Sequence, residues 1–199
     1  ALIALLLNAC GQEYPYLGGP GNLSAVKPGS GITSPVTVTV IYDNYVHTDG
    51  LTSDWGYSVV IEGLDKSVLF DTGTKPEIFG SNFLKTGLDA NSIDLLAYSH
   101  EHLDHVGGIA AFSAMKTGIP VIIPHSFSGS VTSSLAKAGY EPLLVRDPAI
   151  ICDNLYTSGE FDFKIAEQCL VLDTREGLVV MTGCAHPGIV RMLRDIKQS

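Results

Sequence analysis

"SHEHLDHVGG", residues 99–108, follows directly on the apolar run "IDLLAY", residues 93–98. Three of the chain's six histidines and two acids fall between His100 and His105. In extended backbone, side chains at i and i+2 leave the same side of the chain. His100 and His102 can therefore grip one metal ion, while Glu101 points the other way. Asp104 and His105 come after the strand has ended, where the backbone turns into a helix and can face a second ion close to the first. Gly107 and Gly108 let that turn pack closely, with no Cβ in the way. Imidazole together with carboxylate suits zinc, and also iron or manganese.

Working outward, "IDLLAY" is a short continuous apolar run, as expected of a strand buried on both sides. Upstream, "PVTVTVIYDN" from Pro35 alternates and is rich in β-branched residues, which predicts a strand. "YSVVIEGLDKSVLFDTG" holds two apolar runs around Gly63-Leu64-Asp65-Lys66 and reads as a hairpin. Residues 75–86 read as a helix with Ile78, Phe79, Phe83 and Leu84 inward. Downstream, residues 108–115 and 127–138 read as helices, "IPVIIPH" as a strand, and "CLVLDTREGLVVMTGCAHPG" as a second hairpin around Arg175-Glu176-Gly177. Ile189 to Ile196 carries apolar residues at helical spacing. Strands dominate without regular strand–helix alternation, so the pattern predicts a sheet-rich α/β sandwich and not a doubly wound fold. There is no glycine fingerprint for a nucleotide and no P-loop lysine.

At 199 residues and 45% hydrophobic, the chain suits one domain with a sizeable core. Its net charge of −9, with only 12 Lys and Arg, argues against nucleic acid as a partner. The domain is expected over residues 35–199. Before it, residues 1–10 are apolar and end in Leu7-Asn8-Ala9-Cys10, which resembles a bacterial lipobox, and 11–34 read as a flexible Gly/Pro/Ser-rich linker. With no initiator Met ahead of the apolar run, the chain is read as starting partway through its signal. The expectation is an exported lipoprotein held at the membrane through a lipid on Cys10. Cys152, Cys169 and Cys184 are odd in number; one bridge is open to them in an oxidising compartment, but they read first as three buried thiols. Cys184, which could share the face of His186 two residues on, reads first as a small buried strand residue.

His100-x-His102-x-Asp104-His105 resembles the H-x-H-x-D-H signature of the metallo-β-lactamase superfamily, in its usual setting "YSHEHLDHVGG". "VLFDTG" looks like that superfamily's strand ending in an aspartate, here Asp71, and "TGCAHPG" like its next metal-binding histidine, here His186. "WGYSVVIE", "TSGE", "EQCLVLD" and "GCAHPGIV" look closest to one branch, which includes an aminobenzene ribofuranosyl phosphate synthase of pterin biosynthesis and many uncharacterised hydrolases. The resemblance implies an αββα sandwich from about Val36 to the C-terminus. It implies that His100, His102 and His186 hold the first metal, that Asp104 and His105 contribute to the second, and that Asp71 orients a ligand from behind. In members of the branch the chain continues into a further strand and a last histidine. This sandwich is therefore expected to be truncated at its C-terminus, with the second site short of ligands, one tightly held ion and poor activity.

Some residues keep two readings. Asp71, in Asp-Thr-Gly, also makes a good local turn, and His186 before Pro187 could be a turn residue. Glu160 and Glu167 either orient substrate or cap local backbone. His47 and His125 have no partner in sequence and read as satisfied loop residues. The resemblance implies a metal-dependent hydrolase: a metal-bound hydroxide attacks an ester, lactam, thioester or phosphodiester of a small-molecule substrate, and Asp104 positions the nucleophile or shuttles its proton. The alternatives are the pterin-pathway synthase activity, a transferase, and a non-catalytic surface binding module. An exported protein would not meet the substrates of a cytosolic pathway, which puts hydrolysis ahead of synthesis.

Overall fold

Two short strands, Leu5–Leu7 (β1) and Glu13–Pro15 (β2), pair with each other ahead of the main body. This is a computed structural model, and it describes residues 5–7, 13–17, 32 and 35–198. Cys10 and most of the expected signal and linker lie outside those residues. Where the expected linker is described, it differs from a tether at 13–17: Tyr14 is buried, Leu17 N–H donates to the Leu144 carbonyl at 2.9 Å, and Tyr16 stacks on His125. Aromatic and aliphatic side chains that find an apolar sheet edge stay on it, whatever the glycine content around them.

The first main sheet has six strands. Thr37–Tyr42 (β3), Ser58–Glu62 (β4) and Val68–Phe70 (β5) pair antiparallel, the last two across the expected turn. Leu95–Ala97 (β6), Pro120–Pro124 (β7) and Glu141–Val145 (β8) then add in parallel. The second sheet has four antiparallel strands in the order β12, β11, β10, β9: Ala149–Cys152 (β9), Leu155–Thr157 (β10), Leu170–Thr174 (β11) and Gly177–Met181 (β12).

Side chains alternate between the two faces of each strand, and the cores follow that period of two. Val59, Ile61, Val68, Phe70, Leu95 and Ala97 meet Leu155, Leu170, Leu172 and Met181 between the sheets. Their neighbours Val60, Leu69, Leu96, Val121 and Ile123 point the other way, onto helices. Those helices are Pro76–Lys85 (α1), Leu103–Val106 (α2), Ile109–Ser113 (α3) and Gly129–Lys137 (α4). On the far side, Ile189–Gln198 (α5) lays Met192 and Ile196 on Cys169 and Val171. The layers read helix, sheet, sheet, helix, which is the expected αββα sandwich. No helix of the described residues is long and apolar enough to cross a membrane.

One expected helix face is rotated. In α1, Leu84 is 69% exposed and Asn82 is buried in its place. Asn82 earns the position by satisfying its whole amide: Nδ2 donates to the Ile41 and Thr52 carbonyls, and Oδ1 accepts from Thr52 N–H.

The turn carrying Asp104 and His105 is clamped onto the loop after β5. His105 O accepts from Thr72 N–H at 2.7 Å, Asp104 O from Tyr57 N–H at 3.2 Å, and Gly73 O from Gly108 N–H at 3.1 Å. A Cβ on Gly107 or Gly108 would run into the Thr74 or Thr72 carbonyl oxygen. Gly108→Ala is therefore expected to cost about 1–3 kcal/mol, as overpacking does. Gly129→Ala, in a helix with open space around it, should be neutral or stabilising. Urea unfolding of both variants makes the comparison, and equal stabilities would remove the clamp from the argument.

Candidate metal centre

The parallel pairing of β5 with β6 puts the ends of both strands side by side, Phe70 opposite Ala97. The residues just past those ends form the floor of the site. Asp71 is fully buried and sits at φ 59°, a left-handed conformation that asparagine and aspartate tolerate better than most residues. Such backbone strain, of order 1–3 kcal/mol, persists only where the surroundings over-determine it. Here they do. Asp71 N–H donates to Ala97 O, and Asp71 O accepts from Ser58 Oγ. The carboxylate accepts three bonds, each 2.7 Å: Ser99 N–H on Oδ1, and Ser99 Oγ–H and His105 Nδ1–H on Oδ2.

Those bonds fix the imidazole protons. The Ser99 hydroxyl spends its proton on Asp71, so it meets His100 Nδ1, 2.9 Å away, with a lone pair. His100 Nδ1 must then carry the hydrogen, and Nε2 keeps its lone pair. His105 likewise donates from Nδ1 and turns Nε2 toward Cys184 Sγ at 3.2 Å and Asp104 Oδ2 at 3.4 Å. His100 Nε2 and His186 Nε2 are both buried with no hydrogen-bond partner. Buried nitrogens of that kind are normally paired, and leaving one unpaired costs about 1–3 kcal/mol.

The rings converge. His100, His102 and His186 form a triangle with centroids 4.8–4.9 Å apart, and the His105 ring lies 4.1 Å from His100. Burial first, then the neighbouring imidazoles of His105, His102 and His186, push the His100 pKa down to about 2, so the ring is a neutral donor. Burial works against charge on His105 too, but the bond to Asp71 and the charges of Asp71, Asp104 and Glu167 outweigh it and raise its pKa. Burial raises Asp71, opposed by His105 and Ser99. Two buried, unpaired nitrogens, His100 Nε2 and His186 Nε2, with the His102 ring beside them and a carboxylate–histidine bond behind, fit a divalent cation. The structure thus brings His100, His102, Asp104, His105 and His186 into one cluster, with Asp71 directly behind it.

The second sheet supplies the other wall. β12 ends at Met181, and Ala185 turns the chain at φ 54°. The buried Glu167 carboxylate holds that turn, accepting from Ala185 N–H at 3.0 Å, His186 N–H at 2.9 Å and Thr182 Oγ1 at 3.0 Å. Glu167 is therefore a backbone cap that aims His186; Glu160 caps Ser126 N–H at 2.6 Å. Cys184 departs from expectation. It is an exposed loop residue, unlike buried Cys152 and Cys169. Partial burial of its sulfur, then the charges of Asp104, Glu167 and Asp71, push its thiol up to about 11. His47 is exposed and His125 sits against Arg146, both outside the cluster. Cys184's place was signalled only by its offset of two from His186; Glu167 was a candidate backbone cap in sequence, but its link to His186, 19 positions on, carried no signal.

Residues 55–149 match the model of the metallo-β-lactamase superfamily. The chain is 30% identical over 192 residues to 7,8-dihydropterin-6-methyl-4-(β-D-ribofuranosyl)-aminobenzene-5′-phosphate synthase of Methanocaldococcus jannaschii, an alignment covering 71% of this chain and 65% of that protein. The chain thus spans about two thirds of that relative's length. Among solved structures, a quorum-quenching N-acyl homoserine lactone lactonase superposes with TM-score 0.56 at 14% identity, over 85% of this chain and 87% of that one. The fold protein YhfI from Bacillus subtilis gives 0.55 at 17%, over 73% and 62%. At such identities these two speak for the fold alone.

Asp71→Asn would turn an amide donor toward two donors, the Ser99 hydroxyl and His105 Nδ1–H. It is expected to cost about 1–3 kcal/mol of stability and roughly 10–100-fold in metal affinity. Urea unfolding of the metal-free variant and a zinc titration measure both, and a variant unchanged in each would deny Asp71 its anchoring role.

Proposed function

We propose that this chain, which has the metallo-β-lactamase fold, is a metal-dependent hydrolase of a small molecule carrying an ester, lactam, thioester or phosphodiester group. One observation carries the reading: His100 Nε2 and His186 Nε2 are buried, unpaired and convergent with the His102 ring. His100, His102 and His186 would hold a divalent ion, zinc by donor chemistry with iron or manganese as alternatives, and Asp104 and His105 stand ready beside it. When bound, the ion supplies Lewis-acid polarisation, which makes water a nucleophile at neutral pH. The remaining work belongs to the chain. Asp104, part-exposed at the mouth of the cluster, takes a proton on its carboxylate from the attacking water and returns it to the leaving group. Asp71 and Ser99 hold the imidazole protons on Nδ1, and Glu167 keeps His186 in place.

The identity with the archaeal synthase favours a second reading, in which the same cluster activates an electrophile for a nucleophile other than water. The N-terminal sequence supports a proposal about location: a lipid on Cys10 holds the protein at a membrane. In that case Cys10→Ser should release the full-length gene product from the membrane fraction. A wild type found soluble would overturn the proposal and strengthen the synthase reading.

Elemental analysis of the purified protein should find a transition metal, lost in a His100→Ala/His102→Ala double variant; equal content in both would sink the metal-dependent reading. Turnover of generic ester and phosphodiester substrates should fall roughly 10²–10⁴-fold in Asp104→Asn. Inert generic substrates, with product formed from the substrates of the archaeal synthase, would decide for the second reading.

A further inference from the structure

Cys184 stands where two groups of donor atoms meet. His100, Cys184 and His186 make one group and Asp104, His105 and Cys184 the other, the atoms of each within 4.8 Å of one another, so the sulfur is the member they share. Its Sγ is 3.2 Å from His105 Nε2 and 3.9 Å from Asp104 Oδ2. Neither distance is an accident of a loose loop. His105 Nε2 faces the sulfur because Asp71 holds Nδ1, and the neighbouring amides of Ala185 and His186 are bonded to the buried Glu167. The unpaired, fully buried His100 Nε2 next to it independently marks this space as made for a cation.

We propose that Cys184 is itself a metal ligand, its thiolate completing with Asp104 Oδ2 and His105 Nε2 a three-residue donor set for a second divalent ion. The inference rests on the metal-dependent reading above and adds to it a sulfur donor. Binding forms the sulfur–metal bond and releases the thiol proton to solvent, with no change of oxidation state. A sulfur donor gives the second position a preference for zinc, cobalt or cadmium over magnesium or manganese, which carboxylate and imidazole alone would not impose. The competing explanation of the 3.2 Å contact is a thiol–imidazole hydrogen bond and nothing more.

Cobalt(II) distinguishes them, because a thiolate on cobalt adds an intense near-ultraviolet charge-transfer band to the weaker visible bands that imidazole and carboxylate ligands give. The metal-free full chain, reloaded with cobalt(II), should show that band, and Cys184→Ser should lose it while keeping the visible bands. A cobalt-loaded wild type without the band, or a band that survives in Cys184→Ser, overturns the proposal and leaves the metal-dependent reading standing. A wild type that takes up no cobalt overturns both. A second measurement needs no variant: zinc should protect Cys184 from iodoacetamide, read by peptide mass mapping, with buried Cys152 and Cys169 as internal references. Alkylation at the same rate with and without zinc would count against the thiolate.

Discussion

A single buried carboxylate organises this molecule's chemistry. Asp71 ends one strand, and its two oxygens gather the backbone and hydroxyl of Ser99 at the end of the next strand and the ring of His105 one turn further on. A carboxylate taken wholly out of water is costly unless its lone pairs are matched by donors. Satisfying it therefore fixes the relative positions of β5, β6 and α2. It also fixes which nitrogen of each ring keeps a lone pair. The tautomers that make His100 and His105 donors outward follow from a bond made on their inward side.

The rest of the scaffold keeps that arrangement from relaxing. Because β5 and β6 are buried on both faces, neither strand can slip without moving a whole set of side chains into the wrong layer. Phe70 and Ala97 face the second sheet, while Leu69 and Leu96 face the helices. The site thus sits at the carboxyl ends of strands that have one permitted register, and its loops are short and clamped by backbone bonds. Among the described residues three non-glycine residues adopt positive φ, and two of them, Asp71 and Ala185, flank the cluster.

Much of this was legible in the amino-acid sequence, for reasons tied to period and spacing. Both hairpins, the strand before the histidines and the helix α5 follow from alternation or helical repeat over enough residues to register. β8, β9 and β10 did not show, because "EPLLV" carries a proline at its second position and "AIIC" and "LYT" are too short to display a period. Leu84 was read as inward from its hydrophobicity, whereas burial at that turn went to a polar Asn82 with every hydrogen bond met. Tyr14 and Leu17 were read as tether because glycine and proline surround them, and packing on β8 is a tertiary fact. The histidine cluster was visible as spacing and Asp71 behind it through the family resemblance, but which backbone Glu167 caps was not. Glu167 reaches His186 across 19 positions. Cys184 looked like strand because the apolar run "LVVM" leads into it, yet β12 stops three residues earlier.

The two walls of the cluster belong to different layers: His100, His102, Asp104 and His105 hang from the six-stranded sheet, Cys184 and His186 from the loop after β12. An ion gripped from both sides is a rivet through the sandwich. With an ion so held, neither sheet could peel away without tearing metal–ligand bonds, and occupancy would be converted into mechanical cohesion between the layers. By mass action, a ligand that binds the folded state alone and is present at a hundredfold over its dissociation constant adds about 2.7 kcal/mol to that state's stability. Melting temperature would then be a gauge of metal supply, and a chelator would act on the whole fold as well as on the proposed chemistry.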